Sequence, residues 1–167
     1  MPSTNDRLIG LISDTHGQFR DEIRDALRGV SLILHAGDVG GSRVLRELRD
    51  IAPVQAVYGN VDDRHDPALA GHLQLTVHGV RIHVSHGHEL GQPTPQLALA
   101  SYPGDVVIFG HTHRQVVMRD AAGRIAMNPG AAGPRRFNLA PSVARLTITV
   151  GTAGEPAAIA VEIIALA

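Results

Sequence analysis

The chain has 167 residues, of which 44% are hydrophobic and 19% are charged, and its formal net charge is -1. These values are ordinary for a globular protein and exclude a disordered, collagen-like or coiled-coil chain. A nearly neutral chain has no strong positive field with which to hold a nucleic-acid backbone, so nucleic-acid binding is not expected. The length predicts a single domain over residues 1–167.

The chain contains no cysteine but ten histidines, against three Phe, two Tyr and no Trp. The absence of cysteine excludes disulfides, thiolate metal ligands and a cysteine nucleophile, so any metal would have nitrogen and oxygen ligands. The first residues lack the basic-then-apolar order of a signal peptide, and no apolar run approaches the ~20 residues of a membrane span. We therefore expect a cytoplasmic protein without membrane attachment.

The first sixty residues alternate short apolar runs with amphipathic segments, which is typical of β-α-β units with parallel strands. An apolar stripe over 23–30 predicts the first helix, and Ser42 is predicted to cap the second. The three strands of this region are predicted at 8–12, 32–34 and 54–57.

The pattern then changes toward antiparallel pairing, with segments 74–77 and 80–85 on either side of the turn His78-Gly79. Thr94 and Pro95 are predicted as the N-cap and first residue of a short helix. The remaining strands are predicted at 106–109, 115–119, 124–127, 142–150 and 157–166. The whole chain is predicted to be of the α/β class.

Side chains that can bind metals follow directly after five of the predicted strands. In open α/β sheets, ligands bind at the carboxyl ends of the strands, so these side chains are expected to lie together. They are Asp14 and His16, then Asp38, Asn60, His86 with His88, and His111 with His113. Glycines in the same segments let the backbone approach closely. Imidazole and carboxylate ligands together suit Mn, Fe, Co, Ni or Zn better than Mg or Ca.

This ordered set resembles the calcineurin-like metallophosphoesterases, and specifically their small single-domain phosphodiesterase branch. The family's blocks Asp-x-His, Gly-Asp, Gly-Asn, His and Gly-His-x-His correspond to 14–16, 37–38, 59–60, His86 and 110–113, and Asn128-Pro129-Gly130 and Pro134-Arg135 follow as in the small branch. Each block alone is weak evidence, but all five in order are specific. The resemblance implies a four-layer α/β/β/α sandwich with two mostly mixed sheets.

The resemblance also implies two divalent transition-metal ions, with Mn favoured among Mn, Fe, Zn, Ni and Co. It places Asp14, His16 and His113 on one ion, Asn60, His86 and His111 on the other, and Asp38 between both. A bridging carboxylate can hold two cations about 3.5 to 4 Å apart, and a water between them becomes the hydroxide that attacks phosphorus. Neutral imidazoles add no negative charge that would repel the phosphate. The implied activity is hydrolysis of a small phosphodiester, with Asp38, Asn60 and His88 as the catalytic residues.

His88 has two interpretations of about equal weight: contact with the substrate or an outer partner, or a plain loop role. His72, His78 and His83 are expected to face solvent or to be hydrogen-bonded strand residues, and His35 to make structural hydrogen bonds.

Three further polar residues have weaker functional interpretations. Asp62 could orient Asn60 or a neighbouring loop, whereas Arg135 and Arg136 are expected to be solvated rather than to bind phosphate.

Three alternatives stay open. Within the enzymes, a nuclease or a phosphomonoesterase, including a protein phosphatase, is the second choice. Outside them, a protein-interaction scaffold is the rival, because the family includes a retromer subunit with a degraded metal site. No ligand position is replaced here, which favours the enzyme.

The chain departs from many family members after the Gly-Asn block, where they have a histidine that can protonate the leaving group. Here Val61 stands in that position. Protonation would then have to come from water or from another residue such as His65 or His88, or be unnecessary, as it is for a good leaving group. We therefore expect aryl esters to be hydrolysed faster than alkyl esters, and diesters faster than monoesters.

Overall fold

A computed structural model describes residues 5–136 and 138–167. The described chain forms ten strands and three short α-helices. In chain order they are β1 (Asp6–Ile12), α1 (Glu22–Ala26), β2 (Leu32–His35), α2 (Ser42–Arg49), β3 (Val54–Ala56), β4 (Leu73–Val77), β5 (Val80–Val84), α3 (Pro95–Ser101), β6 (Val106–Ile108), β7 (Val116–Arg119), β8 (Ile125–Asn128), β9 (Ser142–Thr149) and β10 (Ala158–Ala165).

The strands form two five-stranded mixed sheets. The first has the order β10-β9-β1-β2-β3, in which β1, β2 and β3 are parallel and β9 and β10 are antiparallel to their neighbours. The second has the order β4-β5-β6-β8-β7, with β5, β6 and β8 parallel and an antiparallel strand at each edge. The predicted ligands follow the carboxyl ends of five of these six parallel strands, β1, β2, β3, β5 and β6.

The two sheets pack face to face around one apolar layer, to which Leu11 and Leu34 of the first sheet and Ile82 and Ile108 of the second contribute. A second buried cluster joins the outer face of the first sheet to α1 and α2, and a third joins the outer face of the second sheet to α3. Burial of these apolar faces is the main force that holds the layers together. The predicted four-layer α/β/β/α sandwich is confirmed.

Two local predictions are confirmed in detail. The Thr94 hydroxyl oxygen accepts a hydrogen bond from the Leu97 backbone nitrogen at 3.1 Å, as expected of the N-cap of α3. His78 and Gly79 have φ angles of 50° and 82°, the backbone that a two-residue hairpin turn requires.

The predictions for the first two helices need correction. Helix α2 begins at Ser42 instead of being capped by it, because Gly40 and Gly41, with φ of 84° and 119°, lead the chain into the helix. Helix α1 ends at Ala26, although the predicted apolar stripe continues and buries Val30. None of the described helices has both the length and the apolar character that a membrane crossing requires.

Candidate metal centre

The structure brings the predicted metal ligands together at one edge of the sandwich, in two groups. The first ligand group is Asp14, His16 and His113, and the second ligand group is Asp38, His86 and His111 together with Asn60. The His and Asp donor atoms of each group lie within 4.8 Å of one another. The Oδ1 atom of Asn60 lies 3.1 Å from both His86 Nε2 and His111 Nδ1. These are the ligand sets that the family resemblance implies for the two ions, with Asp38, the implied bridge, counted here in the second group.

Asp38 lies between the two groups. Its Oδ2 atom is 3.3 Å from His86 Nε2 and 3.7 Å from His16 Nε2, while its Oδ1 atom accepts a hydrogen bond from the Val61 backbone nitrogen at 3.1 Å. Burial opposes ionisation of this carboxyl, but the hydrogen bonds from His86 and Val61 outweigh it and lower the pKa of Asp38 to about 2. The carboxylate is therefore charged at neutral pH and in the position expected of a bridging ligand.

Asp14 is fully buried, and its two oxygens differ in environment. Oδ2 accepts hydrogen bonds from the Ser13 hydroxyl at 2.6 Å and from the His111 backbone nitrogen at 3.1 Å. Oδ1 has no hydrogen-bond partner among the described residues and lies 3.3 Å from His113 Nε2. A buried carboxylate oxygen without a partner is unfavourable, so a cation at this point would supply the missing interaction.

The imidazole of His86 is oriented for metal binding. Its Nδ1 atom lies 2.8 Å from the Ala36 carbonyl oxygen, to which it donates, so that in the neutral ring Nε2 carries the lone pair and faces Asn60 and Asp38. Metal-binding histidines usually have such an acceptor for their second nitrogen. Burial lowers the pKa of His86, but the hydrogen bond to Asp38 and the charge of Asp14 outweigh it and raise the pKa. A cation would take the place of that proton.

The two histidines of the first ligand group point their ring nitrogens at each other, with 3.2 Å between His16 Nε2 and His113 Nε2. Burial lowers the pKa of His16 against the opposing charges of Asp14 and Asp38, and Arg136 lowers it further. A neutral His16 keeps a lone pair available for a cation. The donors of this group therefore also fit a metal ion.

Left-handed backbone conformations are concentrated among the ligands. Seven described non-glycine residues have positive φ, and five of them are the ligands Asp14, His16, Asp38, His111 and His113, with φ between 47° and 70°. Such conformations are unfavourable for L-residues and are typical of functional sites, where the surrounding structure holds them. All of these residues are Asp or His, types that are enriched in left-handed conformations, but residue type alone does not single out these positions.

Glycine allows the loops that carry the second ligand group to approach one another. A Cβ atom on Gly37 would lie 2.7 Å from His86 Nδ1, and one on Gly59 would overlap the Asp38 carboxylate. The close backbone approach expected from the glycines of these segments is confirmed.

Two threonines without a predicted role fix the loops between ligands. Thr15, between Asp14 and His16, donates to the Val39 carbonyl oxygen at 2.7 Å and accepts from His35 Nε2 at 3.0 Å. The ring of His35 can donate there because its Nδ1 atom accepts from the Gly37 backbone nitrogen. The signal in the sequence is a small polar residue placed between two ligands.

The second threonine, Thr112, lies between His111 and His113, and its hydroxyl oxygen accepts from Asn128 Nδ2 at 3.1 Å. Asn128 Nδ2 also donates to the Gly110 carbonyl oxygen. In the sequence, Asn128 belongs to the downstream block shared with the small branch, and no role was expected of it.

Asp62 joins the loops that follow β2 and β3. Its carboxylate accepts hydrogen bonds from the backbone nitrogens of Val39, Gly40 and Gly59 at 2.8–3.0 Å. It thereby holds Gly59, and with it the start of the Asn60 segment, against the Asp38 loop. This is the loop-orienting role that the sequence predicted.

A cavity of about 280 Å³, here called the metal cavity, opens onto both ligand groups. Its remaining lining includes the side chains of Val61, which is 54% exposed, Gln92, Thr112 and Arg136. Arg136, predicted to be a solvated residue, is exposed and also lines this cavity. Gln92 had no predicted role.

His88 lies beside the second ligand group, with its ring centroid 5.3 Å from that of His86 and 6.4 Å from that of His111. Its Nδ1 atom is 3.8 Å from a carboxylate oxygen of Glu89, and its side chain is 30% exposed. Among the other histidines, His72 and His78 are exposed, and the buried His83 forms a hydrogen bond of 2.7 Å with the Ser85 hydroxyl. These three histidines are therefore solvent-exposed or hydrogen-bonded strand residues, as expected.

An α/β sandwich with two adjoining groups of nitrogen and oxygen ligands at its strand ends is typical of metal-dependent phosphoesterases. The family model described as "Calcineurin-like phosphoesterase superfamily domain" matches residues 8–151. The chain belongs to this superfamily.

Similar proteins agree with this assignment. A probable metallophosphoesterase of Methanothermobacter thermautotrophicus is 35% identical over 148 residues, covering 84% of this chain and 80% of that protein. A phosphodiesterase of Methanocaldococcus jannaschii is 28% identical over 140 residues, covering 73% of this chain and 82% of that protein.

Solved structures share the fold. Vacuolar protein sorting 29 of Cryptosporidium parvum superposes with a TM-score of 0.76 at 20% identity, covering 96% of this chain and 99% of that one. Wild-type Vps29 of Entamoeba histolytica, complexed with Zn²⁺, has a TM-score of 0.71 at 24% identity, covering 95% of this chain and 98% of that one. At these identities the likeness concerns the fold alone.

Proposed function

We propose that this protein is a phosphodiesterase that requires two divalent metal ions and acts on a small phosphoester. The observation that carries the proposal is the pair of ligand groups with the ionised Asp38 between them. Every ligand position of the family pattern is occupied here by a side chain that can bind a metal. The likeness to a phosphodiesterase over most of both chains supports the same activity.

In this proposal the first ligand group holds one ion, the second holds the other, and Asp38 contacts both. Two divalent cations so held would supply a water molecule of lowered pKa and neutralise charge on the phosphate. The nitrogen and oxygen donors suit Mn, Fe, Zn, Ni or Co, and we favour Mn. Five of the seven ligands are uncharged, counting the histidines as neutral, so the pocket keeps a positive potential for an anionic substrate.

The protein's own side chains would position the phosphate. Asn60 directs its carbonyl oxygen to His86 and His111, which leaves its amide nitrogen to donate to a phosphoryl oxygen. His88 stands next to these residues with its side chain 30% exposed, although it does not line the metal cavity itself, and in this proposal its ring contacts a second phosphoryl oxygen. Arg136 lines the same cavity and adds a guanidinium.

The proposal is tested by adding Mn, Fe, Zn, Ni or Co separately to metal-stripped protein and measuring hydrolysis of bis(p-nitrophenyl) phosphate, p-nitrophenyl phosphate, a phosphopeptide and plasmid DNA. We expect metal-dependent turnover with the diester as the best substrate. A preference for the phosphopeptide, the monoester or DNA would overturn the diester assignment in favour of a phosphomonoesterase or a nuclease. Absence of turnover with every metal would overturn the enzyme assignment in favour of a protein-interaction scaffold.

A further inference from the structure

A second cavity of about 500 Å³, here called the side cavity, adjoins the metal cavity. Gln92 and Thr112 line both cavities, so the two meet at these side chains. Thr112 is held there by its hydrogen bond from Asn128, in the same loop as two metal ligands. A molecule whose phosphate lies in the metal cavity can therefore extend past Gln92 and Thr112 into the side cavity.

The walls of the side cavity are largely apolar and rest on regular structure. Phe109 follows β6 and is fully buried, Val116 begins β7, and Pro95 begins α3. Pro93 and Leu139 complete the apolar lining. Pockets of a few hundred Å³ with apolar walls and a few polar groups are typical of small-molecule sites. The walls suit the faces of a planar ring system.

Two polar side chains, Arg114 and Gln115, also line the side cavity. The guanidinium of Arg114 has no ion pair and no hydrogen bond to any described residue, whereas those of Arg81 and Arg124 bind Asp105 and three backbone carbonyls respectively. Arg114 is therefore free to bind an acceptor on a ligand, and Gln115 can both donate and accept.

We propose that the side cavity binds the nucleoside part of a nucleotide-type phosphodiester whose phosphate lies in the metal cavity. The base lies against the apolar walls and directs its hydrogen-bonding edge to Arg114 and Gln115. An alkyl group would leave these two side chains without a ligand partner, and the cavity is larger than a single phenyl ring needs. This inference rests on the proposed function and narrows its substrate class.

The test uses two diesters with the same leaving group, thymidine 5′-(p-nitrophenyl phosphate) and methyl p-nitrophenyl phosphate. Gln115→Trp fills the side cavity and Arg114→Ala removes its cation. Val117→Trp and Arg119→Ala are matched controls, because both residues are exposed on β7 and outside the cavity lining. We expect the cavity variants to lower kcat/KM for the thymidine ester about fivefold or more while leaving the methyl ester nearly unchanged. The controls should match the wild type with both esters.

Calorimetric titration of the metal-loaded protein with thymidine 5′-monophosphate gives a readout independent of turnover. The same two variants should weaken its binding about fivefold, and the controls should not. If the wild type hydrolyses both esters and the cavity variants change neither their ratio nor nucleotide affinity, the side-cavity proposal is wrong while the proposed function stands. If no ester is hydrolysed, the proposed function fails. The side-cavity proposal is then tested by calorimetry alone: it stands if the cavity variants weaken nucleotide binding and fails if they do not.

Discussion

The two ligand groups lie side by side but are held in place differently. All three residues of the first group have left-handed backbone conformations, and the Nδ1 atom of His113 is buried without a hydrogen-bond partner among the described residues. In the second group, Asp38 and His111 are also left-handed, whereas Asn60 and His86 have no positive φ, and the His86 ring is oriented by the Ala36 carbonyl oxygen. The first group thus consists entirely of ligands on left-handed backbone, whereas the second combines two such ligands with two on ordinary backbone.

This difference shows that one metal site can combine two kinds of preorganisation. A strained loop needs support from the structure beneath it, which Thr15 and His35 give to the first group. A hydrogen-bonded ring needs only its acceptor. We therefore expect the two ion positions to be separable by mutation, with one residue, Asp38, common to both.

The largest effect is expected from Asp38→Ala, because this substitution removes the only side chain proposed to contact both ions. We expect activity to fall by about 10³-fold or more, with loss of at least one ion and an unchanged fold. Elemental analysis, circular dichroism and turnover of the diester measure these three quantities. Asp50→Ala, at an exposed position beyond α2, is the control. Retention of both ions with wild-type turnover would show that the two-metal assignment is wrong.

Single histidine substitutions should separate the groups. His16→Ala or His113→Ala should weaken mainly the ion of the first group, and His86→Ala or His111→Ala mainly that of the second, each by about 10- to 100-fold in affinity. Stepwise metal titration followed by calorimetry measures both affinities in each variant, with the exposed His72→Ala as the control. If all four substitutions weakened the same ion, or both ions equally, the assignment of the ligands to two separate ions would be wrong.

His35, which supports the first group through Thr15, should make the stability of the protein depend on pH. Complete burial lowers the pKa of His35 from 6.5 to about 4, so the unfolded chain binds a proton that the folded protein excludes. The corresponding stability is fully present above pH 6.5 and decreases as the pH falls toward 4.

When the pH is lowered from about 7.5 to 5, the titration of His35 should therefore decrease the free energy of unfolding of the wild type by about 2 kcal/mol. Urea denaturation of wild type and His35→Asn in the presence of a chelator measures the loss without a contribution from metal release. The variant should lose correspondingly less than the wild type over this range. Equal losses in both proteins would show that His35 does not titrate in this way.

The smallest effect is expected on substrate preference and concerns Val61, which follows the second-group ligand Asn60. Val61 lines the metal cavity but cannot donate a proton, so we expect aryl diesters to be preferred over alkyl monoesters. Val61→His should raise activity toward alkyl relative to aryl esters by about tenfold, within the range of general acid catalysis, whereas Val61→Leu should leave the ratio unchanged. A wild type that already prefers alkyl monoesters, with a ratio unaffected by Val61→His, would show that another residue supplies the acid.

That the candidate ligands lie together could be predicted from the sequence because the carboxyl ends of parallel strands meet at one edge, whatever the details of the loops. Their division into two groups came from the family resemblance and not from the strand pattern. The turn at His78-Gly79 and the cap at Thr94 were equally predictable, since both depend on neighbouring residues. Ser42 was not, because two glycines of positive φ shift the start of α2 by one residue.

The left-handed ligands and the side cavity could not be predicted. Asp14 and His113 are of residue types that are enriched in left-handed backbone, but residue type does not tell which Asp and His residues adopt it, because the packed sheets that hold the loops decide this. Gln92, Arg114 and Leu139 are distant in sequence and meet only through the tertiary fold. Sequence periodicity describes single elements and does not describe cavities between loops.

The most direct test of the account is a titration of metal-stripped protein with Mn²⁺, with bound metal and hydrolysis of bis(p-nitrophenyl) phosphate measured on the same samples. The two ligand groups predict saturation at two ions per chain, with full turnover only when the second has bound. Saturation at a single ion, or turnover that is complete before the second ion binds, would contradict the two-ion account.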